Sequence, residues 1–583
     1  MENMKTWPKL LEAEIEAKFE KLNELIEKKI DWKIIEERGL CVGNLQIKSK
    51  YYDYYSGEVV VMTGEGLSRT RWLRSGIPVM LNKLNSDGRL EKLFEGHVVE
   101  YSHSQVKICI YGDKNADFSI TNYILTPSNG GYIKNMQNIL KDSAVLATDS
   151  VHLINLAYRS IPMVSINDRM QKSLPETLNS SQVAAVSAAL NPKRRILCIQ
   201  GPPGTGKTQV IAEVSYQLAK KKKKVLVCAP THVAVNNAKE ATARRISQEL
   251  GEEEVEKYLC NLSNIKEEFQ NHPLTPKLLA TAKQLTAFGP DNPLNSLNMV
   301  GMQKLLLWMK QLNVQNLLRD QNQLPAVVIS EKAIKGNLRM SLMEKLAKEF
   351  SGLNINILLK EQYRMNENIM KWSNEVFYEN QLTAHSSVAN ITLHDLCPNI
   401  PGDHPLNSPI LMINTDFIQD RSREQYESRS FTNTCELEIV SEYANRLVVN
   451  LGLNPKEIAV IAPYSAQIDK IRRHIPFRVD VNTVDAFQGH ERQVVIFCFV
   501  RDNLEGLIGF LGETRRLNVA ITRAKRQVVL VGSGRMIEKN REFKKLFSRL
   551  QSENVIFEPS VLKLFDDIEQ SVLPKSEKFH LKS

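Results

Sequence analysis

The sequence predicts an α/β chain built on parallel sheets, with a small all-β module placed before them. Three observations predict it. A glycine-rich loop, QGPPGTGKT at 200–208, stands between a buried-strand run, RRILCIQ, and a helical run, QVIAEVSYQLAKK. The strand–loop–helix pattern then repeats at KKVLVCAP and APTHVAVNN, as a parallel sheet requires. A second α/β region from Asn354 carries EIAVIAPY (457–464), RQVVIFCFV (492–500) and RQVVLVGS (526–533). These are continuous apolar runs, the pattern of strands covered on both faces.

From the N-terminus, residues 8–38 space Leu11, Ile15, Phe19, Leu22, Ile26 and Ile30 three or four apart among Glu and Lys. That is a charged amphipathic helix; a support inside the protein and a membrane-surface helix both fit. From about 42 to 122, GEVVVMTG, GIPVMLNKL, LFEGHVVEYSHSQVKICIYG and DFSITNYIL are short β-type segments broken by Gly, Asn and Asp. Gly130 to about Ser173 reads as helical or irregular, and residues 240–310 as mostly helical and polar. Lys220–Lys224 are five consecutive lysines. They suit a nucleic-acid or nuclear-targeting patch, or a helix C-terminus whose dipole they complement.

Length and composition bound the class. With 583 residues the chain has room for two to four domains, and 42% hydrophobic with 24% charged residues is the composition of a soluble globular protein. No apolar run approaches the roughly 20 residues of a membrane span. MENMKTWPKLLEAEIEAKFEKL lacks the apolar core of a signal peptide. The 8 cysteines are scattered without a CxxC pair, which points to reduced intracellular thiols and away from a local zinc site. Lys plus Arg outnumber Asp plus Glu by 76 to 66, a net charge of +10 that favours polyanionic partners.

The loop carries the first chemistry. Gly201, Gly204 and Gly206 let the backbone turn so that its N–H groups face phosphates. Lys207 neutralises the β and γ phosphates and the Thr208 hydroxyl suits Mg²⁺. Further along, APYSAQ (462–467) follows a strand, VNTVDAFQGHER (481–492) brings Asp485, Gln488, Gly489 and Glu491 before another, and ETRRLNVAITRAKR (513–526) clusters arginines around Asn518 and Thr522. A guanidinium fork matches phosphate oxygens, so the cluster suits a phosphate site, while any single arginine there fits a surface ion pair equally.

These pieces in this order, with QYRM at 362–365 and QLTAHSSVA at 381–389, resemble the superfamily 1 helicases of the up-frameshift-like group, nearest the immunoglobulin mu-binding type. The resemblance covers about residues 10–560. It implies two RecA-like P-loop NTPase domains facing each other over ATP, with a β-barrel insertion on a helical stalk. The boundaries expected are a stalk helix at 1–40, the barrel at 41–125 and a stalk or linker at 126–173. A first RecA-like domain follows at 174–325, its helical insertion shortened near 240–300, then a second at 326–560 and a charged tail at 561–583. The implied activity is ATP-driven 5′-to-3′ movement on single-stranded DNA or RNA with duplex unwinding.

By the same likeness, Gln182 reads adenine and Tyr363 packs on it. Gly201, Pro202, Pro203, Gly204, Thr205, Gly206, Lys207 and Thr208 hold the phosphates and Mg²⁺. Gln323 senses the γ-phosphate, Arg364 and Arg523 reach it from the second domain, and Glu491 approaches the ribose. Thr231, Asn237 and Thr483 contact the nucleic-acid backbone. Likeness further implies action in the cytoplasm, the nucleus or both, with ribonucleoprotein or ribosome-associated partners, and no membrane. The single-strand-binding and zinc-finger modules that follow the motor in the nearest relatives are not expected in this chain.

One departure is internal. Such motors place an Asp-Glu pair at the end of a buried strand between the segments matching APTHVAVNN and RDQNQLP, and the sequence between Asn237 and Asp320 has no such strand. Glu252–Glu254, Glu267-Glu268 and Asp291 lack its context, and the first RecA-like domain is expected to be incomplete. Three accounts fit: a shortened transcript or misread gene of an active helicase, a pseudoenzyme that binds ATP and clamps nucleic acid, or a displaced acid that substitutes.

Overall fold

Alternation of apolar and polar residues between 42 and 127 closes a small sheet on itself. In the computed structural model, which describes most of residues 41–128, 165–255 and 315–568 and parts of the N-terminal helical segment, six strands form this barrel. They are β1 (Val42–Asp53), β2 (Gly57–Thr63), β3 (Pro78–Leu84), β4 (Leu90–Tyr101), β5 (Gln105–Tyr111) and β6 (Tyr123–Pro127), in the order β1-β2-β5-β4-β3-β6. β6 returns to β1 through Val42↔Leu125 and Leu45↔Tyr123, so no edge is left unpaired. Val42, Leu45, Val60, Met62, Val98, Val106 and Leu125 fill the interior. β1 had no strand expectation of its own. Its polar run KSKYYD hides it, and its pairing with β2 shifts register between Ile47 and Ser49.

The phosphate loop hangs from β7 (Ile196–Gln200), every residue of which is buried. β7 lies between β8 (Gln315–Arg319) and β9 (Asn356–Leu358), all parallel, with Gln200 level with both Arg319 and Leu358. The helices Ser180–Ala189 and Lys207–Lys220 cover this sheet through Val186, Val210, Leu197 and Ile199. The expected strand KKVLVCAP lies largely outside the described residues, as do residues 256–314. A 19-residue helix, His232–Leu250, precedes that interval.

The lysine run takes the helix-end form. Lys223 N–H bonds to Leu218 O and Lys222 N–H to Ala219 O, with Lys222 at φ 55°. This is a Schellman closure made without glycine, and it places the positive charges at the negative end of the dipole. The N-terminal segment packs inward where it is described. Leu10 lies against Gly336, and Glu14 Oε2 accepts from Ser330 N–H at 2.8 Å. Ile15, Phe19, Leu22, Ile26 and Ile30 of the expected stripe lie outside the described residues.

The second sheet is larger. A short parallel pair, β10 (Glu361–Gln362) and β11 (Thr383–Ala384), leads into β12 (Ile410–Asn414). After a hairpin of β13 (Gln425–Glu427) and β14 (Ser430–Thr432) come β15 (Ile458–Ala462), β16 (Asp480–Thr483), β17 (Arg492–Cys498), β18 (Ala524–Gly532) and β19 (Ile556–Phe557). The parallel order is β16-β15-β17-β18-β12-β19. The three apolar runs named from sequence are β15, β17 and β18, at its centre. Separate cores cover its two faces, one around Tyr443, Leu447, Ile471 and Phe565, the other around Trp372, Phe497, Leu517 and Phe543.

One buried ion pair ties the return from the barrel to the first sheet. Arg194, 1% exposed, donates from Nε and Nη2 to Asp168, and also to the carbonyls of Ile166 and Asn354, each at 2.9 Å. Although burial opposes ionisation, Arg194 and Asn191 hold the Asp168 carboxyl below its ordinary range. Arg194→Ala strands that carboxylate and leaves two carbonyls without their donor. The expected loss is about 3–5 kcal/mol of stability in urea unfolding, with Arg194→Lys recovering little because an ammonium cannot fork to all three acceptors.

Candidate nucleotide site

The loop after β7 is shaped by what presses on it. Gly204 and Gly206 have φ of 78° and 76°. A Cβ on Gly204 would lie 2.7 Å from Arg364 Cβ, and one on Gly206 would lie 2.4 Å from Gln182 Nε2. The turn is therefore both left-handed and clamped between Gln182 and Arg364, two side chains distant in sequence. Thr205 is buried, its hydroxyl donating to Pro202 O at 2.8 Å. Lys207 opens the helix and its Nζ folds back on the loop, donating to Gly201 O at 2.5 Å and Pro202 O at 3.0 Å. Burial is the main force on its ammonium and pushes the pKa down to about 8; Arg364 and Arg523 push the same way, and Asp320 opposes them.

Three cations thus converge on one loop. Arg523, 3% exposed, donates from Nε to Val519 O at 2.9 Å, and its Nη2 stands 3.4 Å from Gln323 Oε1. Burial drives its pKa down, and Arg364 adds to the shift. Arg364 donates to Thr522 O at 3.0 Å and pairs with Glu491 at 2.6 Å, while its buried Nε has no hydrogen-bond partner. Burial opposes ionisation of Glu491, but Arg364 and Lys525, the latter at 2.9 Å, hold its carboxyl below the ordinary range. Desolvated like charges gathered around glycine backbone lower one another's pKa values, and a polyanion relieves the strain.

Beside the loop, Gln182 forms a capping box with Asn179. Its Oε1 accepts from Asn179 N–H at 3.1 Å and its Nε2 donates to Thr205 O at 3.1 Å. Both ends of the amide are therefore engaged with the helix cap and the loop. Tyr363 is 39% exposed, donates its hydroxyl to Glu361 at 2.7 Å, accepts from Asn179 at 3.2 Å, and lies 4.6 Å from the His385 ring at 31°. Gln182, Asn179 and Tyr363 form one edge of the cleft, and the three cations form the other.

The structure brings together Gln182, residues 201–207, Gln323, Tyr363, Arg364, Glu491 and Arg523. Thr208 is exposed on the first turn of the loop helix. Asn237 is exposed on the helix His232–Leu250, and Thr483 ends β16 level with Ala462. Thr231 and Gln488 lie outside the described residues. The six described cysteines, Cys41, Cys109, Cys198, Cys397, Cys435 and Cys498, are buried. Among the described residues no cluster of three or more metal-ligating side chains occurs, and no helix is long and apolar enough to cross a membrane.

Four residues here carry no role from the sequence alone. Asp320, 3% exposed at the end of β8, accepts from the Tyr378 hydroxyl at 2.6 Å and from Gln323 Nε2 at 3.0 Å. Asn322 Nδ2 bonds to Phe377 O, and Asn518 Nδ2 donates to Asn322 O at 2.8 Å. RDQNQLP and ETRRLN contained Asp320, Asn322 and Asn518 in plain view, but Tyr378 ends an ordinary helix and carries no motif.

A parallel sheet whose central strand feeds a glycine cradle with a lysine, faced by arginines from a second parallel unit, defines a P-loop NTPase fold. Two family models, each described as an AAA domain, match residues 177–272 and 338–535. DNA-binding protein SMUBP-2 of Rattus norvegicus is 32% identical over 425 residues, covering 61% of this chain and 43% of that protein. DNA polymerase alpha-associated DNA helicase A of Saccharomyces cerevisiae is 26% identical over 581 residues, covering 81% of this chain and 84% of that one. The solved Pif1 helicase of Candida albicans covers 64% of this chain at 13% identity and a TM-score of 0.25, a likeness too slight to bear on the fold. The chain is related to the superfamily 1 helicases of the up-frameshift-like group. It spans less than half the length of the SMUBP-2 relatives it matches.

Proposed function

We propose that this chain is an ATP-driven translocase moving 5′ to 3′ on single-stranded DNA or RNA and separating duplexes ahead of it. The observation that carries the proposal is the convergence of Lys207, Arg364 and Arg523, two units' worth of cations, on one glycine-lined loop. The cradle and the partnerless Nε of Arg364 fit a triphosphate, with Thr208 the hydroxyl that would hold its Mg²⁺. In this reading the unit spanning 174–325 holds the nucleotide and the unit spanning 326–560 supplies the arginines. Thr231 and Asn237 on one unit and Thr483 on the other grip the nucleic-acid backbone. Backbone contacts carry no base code, so sequence preference is slight. Action in the cytoplasm or nucleus and ribonucleoprotein partners rest on family likeness alone.

A second reading, an ATP-binding clamp without turnover, is favoured by the absence from the sequence of an Asp-Glu strand between Asn237 and Asp320. Phosphate release with and without single strands separates the two. The translocase is expected to release phosphate only when single strands are present and to open a duplex with a 5′ tail but not one with a 3′ tail. ATP-sensitive retention of single strands without phosphate release selects the clamp.

A further inference from the structure

The segment after β8 is held from the opposite unit by the hydroxyl of Tyr378. Tyr378, 2% exposed, closes the helix Glu367–Phe377 and gives its hydroxyl hydrogen to Asp320 Oδ2 at 2.6 Å. The same oxygen accepts from Gln323 Nε2 at 3.0 Å, while Oδ1 accepts from Asn322 N–H at 3.1 Å. An ionised carboxylate can only accept, so it fixes which way the Gln323 amide points. The NH₂ must face Asp320, and Oε1 is left toward Arg523 Nη2, 3.4 Å away. Two further bonds from the second unit keep the segment seated, Asn518 Nδ2 to Asn322 O and Asn322 Nδ2 to Phe377 O. Burial and the neighbouring Asp320 both raise the Tyr378 pKa well above its ordinary value, so the hydroxyl keeps its proton and remains a donor.

We propose that Tyr378 is a positioning residue for γ-phosphate recognition, acting through Asp320 to set the Gln323 amide, so that the second unit must be docked for the first to distinguish a triphosphate from a diphosphate. The proposal rests on the nucleotide site described above. Without the hydroxyl, Asp320 keeps only Asn322 N–H on Oδ1 and Gln323 Nε2 on Oδ2, and its hold on the Gln323 amide is weakened. Diphosphate contacts, which belong to residues 201–207, are untouched.

Binding by the full chain of ADP and of a non-hydrolysable ATP analogue, read by calorimetry, tests this. The wild type is expected to prefer the analogue. Tyr378→Phe is expected to weaken the analogue about 10-fold, one lost hydrogen bond to a charged group, and to leave ADP within 2-fold. Gln323→Ala should cost as much, and the double variant no more than either alone, because both remove the same contact. Equal weakening of both nucleotides by Tyr378→Phe, or no change in either, overturns the relay and leaves the nucleotide site standing. Additive losses in the double variant overturn it too. A wild type that binds neither nucleotide overturns the site and the relay together.

Discussion

Replacing Lys207 with alanine is expected to lower nucleotide affinity by about 10²-fold and to abolish any phosphate release. The ammonium is the one charge of the cleft carried by the loop itself, and it already rests on the Gly201 and Pro202 carbonyls. A charge-assisted hydrogen bond to phosphate contributes about 1.5–3 kcal/mol, the upper end of which is two orders of magnitude in affinity. The pH dependence distinguishes this from simple loss of shape. Burial takes the folded pKa down to about 8 from an ordinary 10.5. Between those values the unfolded chain binds more protons than the folded one. This group's contribution to stability is thus least favourable below pH 8 and improves as pH rises toward 10.5. A bound triphosphate acts the other way and restores the charged form. Calorimetric titration at pH 8.5 in buffers of different ionisation enthalpy should therefore show net proton uptake on nucleotide binding. Lys207→Ala should remove that uptake along with the affinity. Binding to the wild type with no uptake would mean that the ammonium is not desolvated as the geometry requires.

Much of this site was legible because phosphate chemistry restricts residue type. A backbone that curls under phosphates needs glycine at Gly204 and Gly206, and a lysine must follow at a fixed distance, so the loop announces itself. β15, β17 and β18 were legible for a different reason: a parallel strand covered on both faces has no polar residue to interrupt it. β12, ILMIN, obeys the same rule and was passed over because five residues after a loop give too little pattern. β1 was hidden by exposed lysines and tyrosines on a strand only half of which faces the barrel interior. Pairings across the cleft were illegible altogether. Nothing local distinguishes Tyr378 from any aromatic at a helix end, and its role exists only because Asp320 arrives beside it from the other sheet. Gln182 shows the intermediate case. The capping box Asn179-x-x-Gln182, present in LNSSQ, was overlooked; it engages Oε1 of the amide, and Thr205 O takes the other end.

Arg523→Ala is expected to reduce single-strand-stimulated ATP turnover by roughly 10³–10⁵-fold, the range for removing a guanidinium that meets the transferring phosphoryl group. Nucleotide affinity should fall far less, because Lys207 and the loop backbone remain. Arg523 is suited to that part by how it is held. One edge of its fork is fixed on Val519 O and the rest is turned to Gln323, with no carboxylate paired to it among the described residues. Arg364 is held differently, its Nη2 committed to Glu491 and its Nη1 to Thr522 O. Arg364→Ala should therefore act partly through Glu491, which keeps Lys525 but loses its stronger partner. Its signature is a rise in KM for ATP together with a lower kcat, whereas Arg523→Ala should lower kcat almost alone. Arg523→Lys should not rescue, since an ammonium cannot keep the Val519 carbonyl and reach the cleft together. The measurement also decides the question left by the missing acidic strand. If turnover by the wild type exceeds that of Arg523→Ala by three orders or more, the chain orients its attacking water without an Asp-Glu pair between Asn237 and Asp320. If wild type and variant are equally silent while both bind nucleotide, the cations of this cleft hold ATP and do not spend it, and the clamp is the function.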